Sequence, residues 1–506
     1  PFSLEELFTI LFPQFDSYLR IIVNSLRNYM INTKDPTFTQ YRALTNDDPY
    51  TMNLFTCALV FIAYSHRVQS ATLCDSDFCV CRVNHSENED FGETIDCSYN
   101  PRILKDNYDL PDTVYSLDLS WNNLTIINAT KIFKSNTLIE LLLDNNRITE
   151  IETTALQLPK LKKLDLSNNN LNIIDKETFK NINQLEYLNL ANNKFHTVSS
   201  LSFHHLGGLS EIILDNNDLG ISLKDKNLFD RSGYGLTHKI RSLSISGINL
   251  NTVYDNFFVD AYDIRKLIIS NNNISAVFEL PMTLEYLDLS DNPINEISGE
   301  DFSDVPALKV LLLNNLSINE VPEFAFTSLH GLVNLQLERN TNLTDFNELA
   351  FGHDVLEDAD DFTLENLSLK GSRLTTLSNK LSVPFGQLVH LDLQGNLWNC
   401  DCSFKWIKKL QINYKYSEHL RCYTPRPFFN SKVMDLEQKY FVCTVERHLT
   451  GIAIGTISAC VLLAFIAAWI YVMVPKHQSR SNFIKNMYSS PGYSLLPVHV
   501  NLNDGP

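Results

Sequence analysis

Between residues 114 and 398 the aliphatic side chains of this chain recur with a single spacing. Aligned on the pattern L-x-x-L-x-L-x-x-N-x-L, the segment yields twelve frames, with other residues at some of the L and N positions. They begin at Val114, Leu138, Leu161, Leu185, Leu209, Ile240, Ile264, Leu284, Leu308, Leu332, Leu364 and Leu388. LKKLDLSNNNL (161–171) and LEYLDLSDNPI (284–294) carry the pattern unbroken. Positions 1, 4 and 6 are apolar, and positions 3, 5, 7 and 8 are mostly polar. That period fits one short strand per frame, with its apolar residues turned inward and its polar ones facing solvent.

Twelve frames at a mostly 24-residue interval identify a leucine-rich repeat. The fold class expected is an α/β solenoid, a horseshoe of about twelve repeats in which parallel strands line the concave face. Nine frames place Asn where the chain leaves the strand: Asn122, Asn146, Asn169, Asn193, Asn217, Asn272, Asn292, Asn340 and Asn396. An amide there satisfies backbone groups that the turn would otherwise bury unpaired. Ile248, Leu316 and Ser372 stand in the other three frames, where a less regular ladder is expected. Phe179, Phe203, Phe258, Phe302 and Phe326 recur eight residues past the last hydrophobe of their frames, predicting a phenylalanine spine under the convex side. Two frames are lengthened, 209–239 and 332–363, and the second carries the acidic stretch HDVLEDADD (353–361).

Two apolar runs lie outside the repeats. Leu54–Tyr64, within residues 52–71, is too short to span a bilayer and reads as the core of a secretory signal peptide, with Ser70 and Ala71 as cleavage points. Residues 1–51 are then expected to be an upstream segment outside the mature fold. Leu449–Val474 is uncharged and long enough to cross a membrane as a helix. Lys476, Arg480 and Lys485 follow it, which predicts a cytoplasmic tail at 475–506 and type I topology at the plasma membrane. The ectodomain is then divided into 72–113, 114–395 and 396–448.

Charge sharpens the picture. The chain carries 41 Lys+Arg against 59 Asp+Glu, net −18, with a pI near 5.1, which argues against a nucleic-acid partner. Residues 1–71 contribute −1 and the tail +2, so the acidity belongs to the ectodomain.

Eight of the ten cysteines form two clusters, Cys74, Cys79, Cys81 and Cys97 before the repeats and Cys400, Cys402, Cys422 and Cys443 after them. Neither cluster has zinc-type C-x-x-C pairs, so both read as disulfide staples, with three pairings open in each. Cys74-x4-Cys79-x-Cys81-x15-Cys97 with LPDTVYSLDLSWNNL (110–124) resembles the N-terminal cysteine cap of extracellular leucine-rich repeat proteins. NLWNCDCSFKWIKKL (396–410), with Cys422 and Cys443, resembles their C-terminal cap. The resemblance implies the pairs Cys74–Cys81, Cys79–Cys97, Cys400–Cys422 and Cys402–Cys443. It also implies an ectodomain plan similar to that of Toll-like receptors and of connectin-like and capricious/tartan-like adhesion proteins. The 32-residue tail is too short for a Toll-type cytoplasmic domain.

No nucleophile, phosphate-binding or metalloprotease motif appears, so neither catalysis nor a cofactor or metal is expected. The ligand surface is expected on the solvent-facing strand positions. These carry Asp118, Glu140, Asp144, Asp165, Glu211, Asp215, Asp288, Asp291, Glu338 and Asp392 against Lys163, Lys266, Arg339 and Lys370. Such a face favours a basic extracellular protein, and Trp121 and Tyr187 add aromatic anchors to it. N-x-S/T sequons at Asn84, Asn123, Asn128, Asn273, Asn315, Asn342 and Asn366 predict N-glycosylation; a glycan on Asn366 would mask part of the concave face and direct binding to the N-terminal repeats. Gly451, Gly455 and Ala459 form a small-residue face suited to helix pairing in a homodimer. Tyr493-Ser-Leu-Leu496 resembles a tyrosine-based sorting motif. Together these features predict a cell-surface receptor or adhesion protein with a protein ligand or homophilic partner. The alternative is an innate-immune co-receptor or decoy that captures microbial ligands without a signalling domain.

Overall fold

The computed structural model describes residues 73–477 except 76–78, 85–91, 101–109, 131–132, 224–228, 230–235, 237–238 and 256. The upstream segment, the signal peptide through Ala71 and the Tyr493–Leu496 motif lie outside the described residues.

Every frame forms its strand. Two cap strands, β1 (Val80–Asn84) and β2 (Gly92–Asp96), are followed by twelve repeat strands. These are β3 (Val114–Asp118), β4 (Glu140–Leu142), β5 (Lys163–Asp165), β6 (Tyr187–Asn189), β7 (Glu211–Ile213) and β8 (Ser242–Ser244). The rest are β9 (Lys266–Ile268), β10 (Tyr286–Asp288), β11 (Val310–Leu312), β12 (Asn334–Gln336), β13 (Asn366–Ser368) and β14 (His390–Asp392). All fourteen join one sheet in sequence order; β1–β2 is antiparallel, and every later pairing is parallel. The two long frames do not disturb the register: Glu211 pairs with Ser242 and Asn334 with Asn366, so the extra residues are taken up away from the strands.

The aliphatic positions form one continuous core. Leu164, Leu188, Ile212, Leu243, Leu267, Leu287 and Leu311, all at position 4, are completely buried. Burial of such a side chain contributes roughly 1.5–3 kcal/mol, and twelve stacked rows make this the main stabilising term.

The asparagine ladder is the second. Asn193 Nδ2 donates to the carbonyls of Leu166 (2.9 Å), Leu190 (3.0 Å) and Ala191 (3.3 Å), while its Oδ1 accepts from Leu171 N–H at 3.0 Å. Asn146, Asn169, Asn217 and Asn292 repeat the arrangement. Each amide thus closes its own turn and ties it to the preceding repeat. Where Ser372 replaces Asn, one contact is left, Oγ to Leu337 O at 3.3 Å. Where Ile248 does, Gly220 N–H donates to the Ile248 carbonyl at 2.7 Å; a Cβ on Gly220 would stand 2.2 Å from Asn249 O, so only glycine fits.

Position 8 is left-handed in all twelve frames. Asn145, Asn168, Asn192, Asn216, Asn271 and Asn315 occupy it, as do Gly247, Gly371 and Gly395, residues for which positive φ is inexpensive. Asp291, Arg339 and Trp121 hold the remaining three.

The expected phenylalanine spine is not continuous. The five phenylalanines are buried, but only Phe258, Phe302 and Phe326 join runs of touching rings, Phe229–Phe258–Phe278 and Phe302–Phe326–Phe351. The break falls at the 20-residue frame beginning at Ile264. Its equivalent position is Met282, which is 73% exposed, because the missing residues leave no room for an inward turn.

Cysteine pairs staple both ends. Cys74 joins Cys81, Cys79 joins Cys97, Cys400 joins Cys422, and Cys402 joins Cys443. In the C-terminal cap Trp398 is wholly buried, stacks on Phe404 at 4.7 Å and donates from Nε1 to Leu393 O at 2.7 Å. Helix α1 (Thr444–His477) starts at the residue after Cys443 and contains a 22-residue span, Gly451–Val472, long and apolar enough to cross a membrane.

Candidate ligand-binding face

The parallel register brings the solvent-facing residues of successive repeats into columns. In the position-3 column Ser116, Glu140, Lys163, Tyr187, Glu211 and Ser242 are consecutive neighbours. Glu140 accepts from Lys163 Nζ at 2.7 Å and from Ser116 Oγ at 2.8 Å, and the same ammonium stands 5.6 Å from the Tyr187 ring centre. Burial pushes the Glu140 carboxyl up, but the hydrogen bonds from Lys163 and Ser116 outweigh it and hold the group below the usual glutamate range.

Asp118, Asp165, Asp288 and Asp392 at position 5 have a structural task that the sequence pattern did not reveal. Each accepts from the backbone N–H two residues ahead: Ser120 (2.8 Å), Ser167 (2.9 Å), Ser290 (2.9 Å) and Gln394 (3.0 Å). These carboxylates close the turn leaving the strand. They are half-committed to their own backbone, so the candidate face is less freely acidic than a count of charges implies. Asp392 departs further: it is buried, because the C-terminal cap folds back over β14 and sets Tyr416 against His390 at 6.0 Å.

Position 7 supplies Asp144 and Asp215. Asp144 accepts from Asn145 Nδ2 at 2.6 Å; Asp215 accepts from Ser244 Oγ and Ser246 N–H, both at 2.7 Å. Burial raises the pKa of both, and the neighbouring Asp165 and Asp118 charges add to the shift at Asp144. Tyr187 is pushed up to about 12, by burial first and then by the Asp165 and Glu211 carboxylates. Burial is the main cause of the upward shifts at Asp144 and Tyr187, and the Asp165 carboxylate adds to both.

Trp121 is half-exposed and stacks on Tyr99 with ring centres 5.4 Å apart and planes 11° from parallel. Both residues are left-handed. This pair went unrecognised in the sequence because Tyr99 precedes the first frame; only β2, acting as an extra repeat strand, places it beside Trp121. Asn123, Asn128, Asn273 and Asn342 are exposed, Asn315 donates to Asp291 Oδ1 at 2.7 Å, and Asn366 lies half-buried on β13. The acidic stretch 353–361 folds as a short helix, Asp354–Glu357, with Phe362 packed on Phe351 at 5.2 Å. Among the described residues no group of three or more His, Cys, Asp or Glu could hold a metal ion.

Family models for "Leucine rich repeat" match residues 136–194 and 159–219, and the "BspA type Leucine rich repeat region" matches 251–368. The chain has a leucine-rich repeat fold. This repeat protein is 28% identical to chicken Tsukushi over 367 residues, covering 68% of the chain and 87% of the relative. Against mouse leucine-rich repeat transmembrane protein FLRT2 it is 25% identical over 227 residues, 40% of the chain and 34% of the relative. Mouse Podocan matches at 28% over 250 residues, 48% and 35%. The chain thus spans most of Tsukushi but about a third of the other two. Among solved structures, a leucine-rich repeat protein of Leptospira interrogans aligns with a TM-score of 0.47 at 23% identity, covering 60% of this chain and 75% of that one. The matched models are repeat models and indicate no catalytic family.

Proposed function

We propose that this repeat protein is a non-catalytic cell-surface receptor or adhesion protein. In this reading α1 crosses the plasma membrane, residues 72–448 stand outside, and the strand face of repeats one to five binds an extracellular protein with a basic surface. The observation that carries the proposal is the run Asp118, Glu140, Asp144, Asp165, Glu211 and Asp215 on neighbouring repeats, of which Asp165, Glu211 and Asp215 act on Tyr187. A low-dielectric wall of aliphatic core behind these carboxylates strengthens their field toward solvent, and cationic surfaces are steered to it. Lys476 on the far side of the span supports the type I orientation, and the FLRT2 relative is by name a transmembrane protein. Gly451, Gly455 and Ala459 recur every four residues on α1 and would allow a homodimer by close helix approach.

The test uses cells displaying the full chain. Captured extracellular proteins are identified by proximity labelling, and cell clustering is scored in parallel. The expected partner is basic, or a second copy presenting a basic patch, and capture weakens as salt rises. Asp144→Lys with Asp215→Lys should abolish it. Capture unchanged by these substitutions and by salt would exclude this face.

A further inference from the structure

The C-terminal cap differs from the repeats in charge and in what it leaves exposed. Residues 72–395 carry 24 basic and 47 acidic groups, whereas residues 396–443 carry eight basic and four acidic. A net −23 is thus followed by a net +4, immediately before the apolar span. On the same cap Tyr423 (49%), Phe429 (61%), Tyr440 (42%) and Val442 (38%) are exposed. These are not scattered residues. Tyr423 packs edge-on against Phe429 at 5.8 Å, and Phe428, the preceding residue, packs against Tyr440 at 5.4 Å. Tyr440 and Val442 lead straight to Cys443 and so to the first residue of α1.

The patch is rigidly mounted. Asn430 N–H donates to Cys422 O at 2.8 Å and Cys422 N–H to Ser431 O at 2.9 Å, closing the loop that carries Phe428 and Phe429. Arg421 adds a bond to Asn430 O at 2.8 Å. Cys400–Cys422 fixes this loop to the cap, and Cys402–Cys443 fixes the start of α1 to the same cap. Only residues 444–450, the first two turns of α1, separate the cap from the span. Exposed Arg426 flanks the patch, and Lys439 stands 5.0 Å from the Tyr440 ring.

We propose that Tyr423, Phe428, Phe429, Tyr440 and Val442 form a lipid-contacting foot, on which the cap rests at the headgroup level of the bilayer that α1 crosses. Aromatic side chains with a polar edge partition to that level, and Arg426 and Lys439 meet lipid phosphates there. The charge gradient sets the posture: the cap is drawn to phosphate, while the strongly acidic repeats are not. The inference rests on α1 being membrane-spanning, and the experiment separates the two.

Full-length protein is reconstituted in phosphatidylcholine vesicles containing a photoactivatable phosphatidylcholine whose diazirine lies near the glycerol, and lipid adducts are mapped after irradiation. Cleavage after Arg421 and Lys432 isolates residues 422–432, which contain none of α1. Adducts are expected on both α1 and 422–432, above the level found on repeat peptides. Tyr423→Ser with Phe429→Ser should reduce 422–432 to that level with α1 labelling unchanged, and Arg426→Glu with Lys439→Glu should lower it as well. Non-reducing mapping of the four cystines verifies that each variant is folded. Labelling of α1 with 422–432 at the repeat level would overturn the foot and leave the span intact. Absence of labelling from α1 would overturn the span itself.

Discussion

Asn193→Ala tests how the solenoid is held together. The side chain is 4% exposed, and its amide engages three carbonyls and one backbone N–H across two repeats. Alanine leaves the Leu171 N–H facing buried aliphatic surroundings, which costs about 1–3 kcal/mol. The carbonyls of Leu166 and Leu190 lose a donor as well, and a further ~1–2 kcal/mol follows from their incomplete resolvation. The total expected is roughly 2–5 kcal/mol, against about 1 kcal/mol for Asn192→Ala, where only a left-handed backbone (φ 54°) loses a favourable residue. Because repeat arrays need not unfold in one step, the assay is amide hydrogen exchange, read at Leu171 and at distant repeats alongside chemical denaturation. Loss of protection should centre on residues 166–195 and fade within a repeat or two. If Asn193→Ala cost no more than Asn192→Ala, or if Leu171 exchanged as in the wild type, the ladder would be incidental to stability.

Three further outcomes follow from the same geometry. Asp144 is raised above its ordinary 3.8, so the native chain holds that proton more tightly than the unfolded one; stability falls as pH rises through the raised value and is flat above it. Asp144→Asn should therefore raise the thermal midpoint at neutral pH, with the gain vanishing below about pH 4, while Glu140, shifted the other way, loses its contribution as pH falls through its lowered value. Cys402→Ser with Cys443→Ser opens a link across 41 residues and should cost about 2–4 kcal/mol, seen as faster tryptic cleavage within the cap and unchanged cleavage of the repeats. A sequon installed on β6 by Tyr187→Asn with Asn189→Thr should block ligand capture by its glycan, whereas Asn366→Gln should leave capture intact; the reverse pattern, scored by cell-surface binding, would move the site toward β13.

The fold was legible because the repeat period states it directly. All twelve frames are strands, since a row of aliphatics at positions 1, 4 and 6 has no other way to be buried. The phenylalanine spine was misjudged because the 20-residue frame breaks the phase on the convex side, where spacing is less constrained than in the sheet. The candidate ligand face was readable as a list of positions but not as chemistry. Asp118, Asp165 and Asp288 look like free ligand groups in sequence, and only the bend after each strand shows that their oxygens are already accepting from the turn. The Tyr99–Trp121 stack depends on β2 behaving as a repeat strand without carrying the motif. The aromatic foot depends on a loop closed by Cys422, whose neighbours no periodicity reveals.

The two rims of the sheet, β1 at one end and β14 at the other, have an effect beyond the molecule. A stack of like-directed strands with two open rims invites end-to-end polymerisation, each copy extending the sheet of the next. Here the β1 rim could still accept an antiparallel neighbour, but Tyr416 stands over the other rim at His390, so two copies cannot join rim to rim without displacing the C-terminal cap. Even when crowded on a surface, copies of this protein should remain separate units rather than grow into filaments.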